Sequence, residues 1–135
     1  MTQRILVVED TEDNRRIIRD LLSSVGYELI EAVDGAEGVA LAQKEQPDLI
    51  LMDIQLPVMD GYEATRQIRT VPELARVPII AVTSYALSGD EAKTRAAGCD
   101  GYVAKPFSPR QLLAKIREFL PEAPPPLPPP QAGEG

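Results

Sequence analysis

A chain of 135 residues is one domain of ordinary size, long enough to bury a real core and too short for a second. Its 21 acidic residues outnumber 14 basic ones, and the net charge of −7 argues against an extended electrostatic grip on nucleic acid or an anionic membrane surface. There is no histidine, which removes the usual general base and the commonest transition-metal ligand, so any metal must be held by oxygen, and the single cysteine, Cys99, excludes an intrachain disulfide.

Arg4 to Val8, continuously apolar at Ile5, Leu6, Val7 and Val8, reads as a buried strand, and it ends at two carboxylates, Glu9 and Asp10. From about Thr11 to Ser24, Ile17, Ile18, Leu21, Leu22 and Val25 recur at helical spacing and predict one buried stripe, with Gly26 as the stop. Tyr27 to Ala32 reads as a second strand, polar enough at Glu28 and Glu31 to lie at a sheet edge. The spacing Asp34-x-x-Glu37 is that of a capping box and opens a helix to about Glu45, closed by Pro47. Leu49 to Met52 is a third buried strand, stopping at Asp53 with Pro57 and Gly61 as loop punctuation beyond it.

Asp60-x-x-Glu63 begins a third helix to about Arg69, and Val77 to Val82 is a fourth strand ending at Thr83 and Ser84. Ser88-x-x-Glu91 starts a fourth helix to about Ala97 with Gly98 past its end, and Gly101 to Ala104 is a short strand ending at Lys105-Pro106. Ser108 caps a last helix, with Pro109 in its first turn, Gln111 at the box position and a buried stripe of Leu112, Leu113, Ile116 and Leu120. Five alternating strand and helix units predict an α/β fold with a mostly parallel sheet covered on both faces. From Pro121 the composition changes: PEAPPPLPPPQAGEG holds seven of the 13 prolines and builds no core, so 1–120 is the expected domain and 121–135 a Pro-rich disordered tail.

The first strand begins almost at Met1, so no signal peptide is expected, and no apolar run approaches the roughly 20 residues a membrane helix needs. A cytoplasmic protein with neither a membrane nor a nucleic-acid partner is expected. Cys99 is expected to be a small, partly buried residue.

In a parallel sheet the polar residues at the strand ends converge on one edge: Glu9 and Asp10, Asp53, Thr83 and Ser84, and Lys105. Three carboxylates there repel one another and call for a cation, and a hard divalent ion, Mg²⁺ in a cell, meets that need through oxygen ligands. A carboxylate nucleophile beside Mg²⁺, a lysine and a hydroxyl has the parts for phosphoryl transfer.

VVED at 7–10, LILMDIQLPVMDG at 49–61, VTSYAL at 82–87 and GYVAKPF at 101–107 resemble the receiver domain of two-component response regulators, over about residues 3–120. The resemblance implies a flavodoxin-like doubly wound (βα)5 fold with strand order 2-1-3-4-5. It implies that Asp53 is the phosphoacceptor, that Asp10, Asp53 and the backbone carbonyl of Gln55 bind Mg²⁺ with Glu9 acting through water, and that Thr83 and Lys105 contact the phosphoryl oxygens. Tyr102 stands at the switch-aromatic position, and Lys105-Pro106 would be a cis peptide. The implied partners are a sensor histidine kinase or histidine phosphotransfer protein, a downstream protein target and, through its own surface, a second copy. The wording MDIQLPVMDGYEATRQIR with Asn14-Arg15 is most similar to receivers of hybrid kinases and to single-domain regulators of the cell-cycle type, so no output domain is expected. Glu9 for the commoner aspartate and Ser84 for a frequent alanine are mild departures.

Three rivals carry different chemistry. A flavin-binding electron carrier needs a hydroxyl- and glycine-rich phosphate loop after the first strand, where Glu9, Asp10 and Glu12 stand. An aspartyl-phosphate phosphatase wants a second acid two residues past the nucleophile, where Gln55 stands. A receiver fold used as a binding module or phosphate sink stays open.

Overall fold

The computed structural model describes residues 3–84 and 90–120. Strands β1 (Arg4–Val8), β2 (Glu28–Ala32), β3 (Leu49–Asp53), β4 (Ile79–Thr83) and β5 (Gly101–Ala104) alternate with helices α1 (Glu12–Ser24), α2 (Gly35–Glu45), α3 (Gly61–Arg69), α4 (Asp90–Ala97) and α5 (Pro109–Phe119). All four strand pairings are parallel, in the order β2-β1-β3-β4-β5. The doubly wound α/β architecture is the one expected.

Side-chain alternation along the strands divides the interior into two cores. Leu6, Val8, Ile50, Met52, Ile79 and Ala81 meet α2 and α3 through Val39, Ala42, Ala64 and Ile68. Ile5, Val7, Leu49, Leu51, Ile80 and Val82 meet α1 and α5 through Ile18, Leu22, Leu112 and Ile116. β3 is buried on both faces along its whole length, which is why its sequence reads as an unbroken apolar run. β2 lies at an edge, with Glu28 exposed.

The structure corrects the sequence in several places. Ile17 is 55% exposed, because Ile18 and Leu22, four residues apart, set the face that α1 turns inward and leave Ile17 beside it. β4 begins at Ile79 rather than Val77, since a short 3₁₀ turn at Pro72–Leu74 precedes it and the Val77 N–H bonds back to Leu74. Pro78 has no N–H but its carbonyl accepts from Ile50 (2.9 Å).

Of the predicted boxes among the described residues, only Ser108 with Gln111 is reciprocal. Asp34 and Asp60 do cap their helices, each accepting from the backbone N–H three residues on. The Glu37 carboxylate, however, reaches back to the Val33 N–H, and that of Glu63 turns along the helix to Arg66 and Gln67. Ser88, Tyr85 and the Pro-rich segment 121–135 lie outside the described residues.

Candidate phosphoacceptor and metal site

Asp53 is the last residue of the central strand and is 2% exposed, as is Glu9, one residue beyond β1. Continuing the alternation, both fall on the α1 and α5 face, and so does Lys105 just past β5. The Lys105 ammonium lies between them, 3.1 Å from Glu9 Oε1 and 3.2 Å from Asp53 Oδ2. Gln55 donates its backbone N–H to Asp53 Oδ1 (3.1 Å), and Thr11 donates its own to Glu9 Oε2 (3.1 Å).

Asp10 is exposed, yet one carboxylate oxygen from each of Glu9, Asp10 and Asp53 lies within 4.8 Å of the others. Three carboxylates against one ammonium leave an excess of two negative charges, the charge of one divalent cation. The oxygen-only donor set suits a hard ion.

The electrostatics show the strain of this grouping. Burial, and then the charge of Glu9, push the Asp53 carboxyl up to about 6, against the opposing pull of Lys105 and the Gln55 N–H. Burial also acts to raise Glu9, but the Thr11 N–H and the Lys105 ammonium outweigh it and hold Glu9 below the usual carboxylate range. Lys105 is half-desolvated, which works against its charge, and the two carboxylates still raise it above an ordinary lysine.

Close backbone approach places Asp53. A side chain at Gly61 would meet the Asp53 carbonyl oxygen at 2.3 Å, and the Gly61 N–H bonds to the Ile54 carbonyl (2.9 Å). Gly35 at the start of α2 is pressed in the same way against the Met59 carbonyl, at 2.1 Å for an added Cβ. The β3–α3 loop is thereby held between two helix N-termini. Sequence reading took Gly61 for a turn marker and missed that it is a contact.

Thr83 is fully buried and follows Ile79 and Ala81, which pack on the α2 and α3 core, in the alternation of β4. Tyr102, half-buried, packs on that same core, and the register sets it diagonal to Thr83 on the neighbouring strand. The structure thus joins Glu9, Asp53 and Lys105 directly, sets Asp10 beside them, and buries Thr83 at the end of β4, diagonal to Tyr102 on β5. Ser84 is exposed, Gln55 is exposed, and the Lys105–Pro106 peptide is cis.

A cleft of about 520 Å³ opens beside Glu9 and Lys105, lined also by Asn14, Ile17, Ile18, Ser84, Pro106 and Phe107. The exposed Ile17 forms part of its apolar lip, a feature hidden from the sequence because helical spacing assigned that residue to the core.

A βα sheet with a buried aspartate, an acidic pair and a lysine at the carboxyl ends of its strands defines the receiver class of signalling proteins. The chain belongs to the response regulator receiver domain family, whose model matches residues 5–117. It is 43% identical over 123 residues to the polar-differentiation response regulator DivK of Brucella abortus, covering 91% of this chain and all of that protein. Among solved structures, the receiver domain of the sensor histidine kinase PA1611 from Pseudomonas aeruginosa PAO1 is 42% identical with a TM-score of 0.84, covering 90% of this chain and 99% of that one; it has a magnesium ion coordinated in its active-site cleft. The chemotaxis response regulator CheY4 of Vibrio cholerae is 31% identical with a TM-score of 0.85, covering 88% and 99%. Among the described residues, no helix is long and apolar enough to cross a membrane.

Proposed function

We propose that this response regulator accepts a phosphoryl group on Asp53 from a phosphohistidine of a sensor histidine kinase or histidine phosphotransfer protein in the cytoplasm, and signals by binding a protein target. The observation that carries the reading is Asp53 itself: a carboxylate 2% exposed at the end of the central strand, 3.2 Å from Lys105 and grouped with Glu9 and Asp10.

Asp10, Asp53 and the Gln55 backbone carbonyl would hold Mg²⁺, with Glu9 acting through water. The chemistry that bound Mg²⁺ supplies is neutralisation of the charge shared between the carboxylates and the incoming phosphoryl oxygens. An Asp53 oxygen attacks phosphorus as the bond to the imidazole nitrogen breaks, and the product is a mixed anhydride on Asp53 and a free imidazole on the donor. Lys105 supplies a fixed positive charge to the phosphoryl oxygens. The apolar lip at Ile17 offers the donor a seat next to this opening.

Phosphorylation adds close to two negative charges and new acceptor oxygens at the sheet edge. The Thr83 hydroxyl is drawn toward them, and Tyr102, diagonal to Thr83, turns with it, which alters the surface of α4, β5 and α5 that a partner or a second copy reads. Residues 1–120 form the signalling unit.

Incubation with Mg²⁺ and acetyl phosphate, followed by intact mass, tests the reading. One phosphoryl group on the wild type and none on Asp53→Asn is the expected result. Labelling of Asp53→Asn, or an unlabelled wild type, overturns it.

A further inference from the structure

The acidic pair is held by more than its carboxylates. β2 ends at Ala32, whose carbonyl accepts the Glu9 N–H (3.0 Å), and the chain then leaves the sheet for α2. The Glu9 carbonyl therefore lies where the strand ladder has run out. Arg15, one turn into α1, fills the gap by donating Nη1–H to that carbonyl at 2.8 Å.

The Arg15 side chain is only 12% exposed, and its guanidinium is fixed on its other sides by Glu12 and, at 3.4 Å, by Glu31 of β2. Glu31 is itself held by Arg19 through a bidentate contact at 2.7 and 2.9 Å. The Glu9 carbonyl shares one planar peptide unit with the Asp10 N–H. Whatever fixes the carbonyl also fixes the plane from which the Asp10 side chain departs. The Asp10 carboxylate is exposed, so its direction comes from its backbone rather than from packing.

We infer that Arg15 is a positioning residue for the divalent-cation site: its hydrogen bond to the Glu9 carbonyl orients the Glu9–Asp10 peptide and aims the Asp10 carboxylate at the ion. This rests on the proposed Mg²⁺ site and adds to it a part that touches neither ion nor phosphoryl group. Partners that orient metal ligands from behind commonly contribute roughly 10- to 100-fold in affinity.

Mg²⁺ titration by calorimetry on wild type, Arg15→Met, Arg15→Lys and Glu31→Gln tests it, with the melting temperature of each metal-free protein and the Asp10 amide resonance as further readouts. Arg15→Met should weaken Mg²⁺ by about tenfold or more and shift the Asp10 amide resonance. Glu31→Gln breaks the same ion-pair network without touching the Glu9 carbonyl and should leave Mg²⁺ affinity at the wild-type value. Arg15→Lys keeps the charge on a shorter, single-point head and should fall between wild type and Arg15→Met. It carries the test alone should Arg15→Met fail to fold. Unchanged affinity in the Arg15 variants overturns the inference, as does an equal loss in Glu31→Gln, which would make the network merely structural. A wild type that binds no Mg²⁺ instead overturns the reading of the site itself.

Discussion

Val58 shows how much local cost the β3–α3 loop accepts. It sits between β3 and α3 with φ of +70° and is 82% exposed, so a β-branched residue occupies the left-handed region with no burial in return. Asparagine tolerates that conformation and avoids the extra chain entropy of glycine. Val58→Asn is therefore expected to stabilise the fold by about 1 kcal/mol, seen as a higher urea midpoint with an unchanged slope. Gly61, three residues on, has no such freedom: its hydrogen atom faces the Asp53 carbonyl, and any larger side chain would push the end of β3 away.

At the scale of elements, Arg69 does for the lower half of the molecule what Lys105 does for the site. From the end of α3 it donates to the carbonyls of Gly98 (3.0 Å), Leu74 (3.0 Å) and Val77 (2.7 Å) and pairs with Asp100 (2.7 Å), which in turn accepts the Ile79 N–H (2.9 Å). One side chain thus ties α3, the 3₁₀ turn, the start of β4 and the end of α4. Arg69→Met, which keeps the stem and strips the donors, should cost roughly 2–4 kcal/mol in chemical denaturation, because several partly buried carbonyls and a carboxylate lose their partner. That contact set was illegible in the sequence, where Arg69 is the last residue of an amphipathic helix. The elements themselves were legible, since unbroken runs such as Leu49 to Met52 and stripes such as Leu112 and Ile116 state their period directly. The acids and the lysine were legible too, because a parallel sheet brings all its strand ends to one edge. Side-chain direction was harder: a stripe of five apolar residues on α1 was one wider than the face it buries, at Ile17.

For the whole molecule, the site is a source of instability that a cation relieves. A carboxyl raised from 3.8 unfolded to about 6 folded binds more protons in the native state between those values, so its contribution to stability falls as pH rises through that window. Metal-free Asp53→Asn should match the wild type near pH 4 and exceed it by about 2 kcal/mol above pH 6, with Mg²⁺ narrowing the difference by stabilising the wild type alone; melting curves against pH check both. Lys105 makes the opposing contribution by bridging Glu9 and Asp53, residues 96 and 52 positions away along the chain. Contacts that close such long loops come late, after the first, third, fourth and fifth strands have assembled in the sheet. A chain still emerging from synthesis, or one that has trapped only its first half, holds Asp53 without the ammonium proposed to contact the phosphoryl oxygens. Competence to take up a signal is in this way a certificate of completed folding, issued only when the last strand is in place.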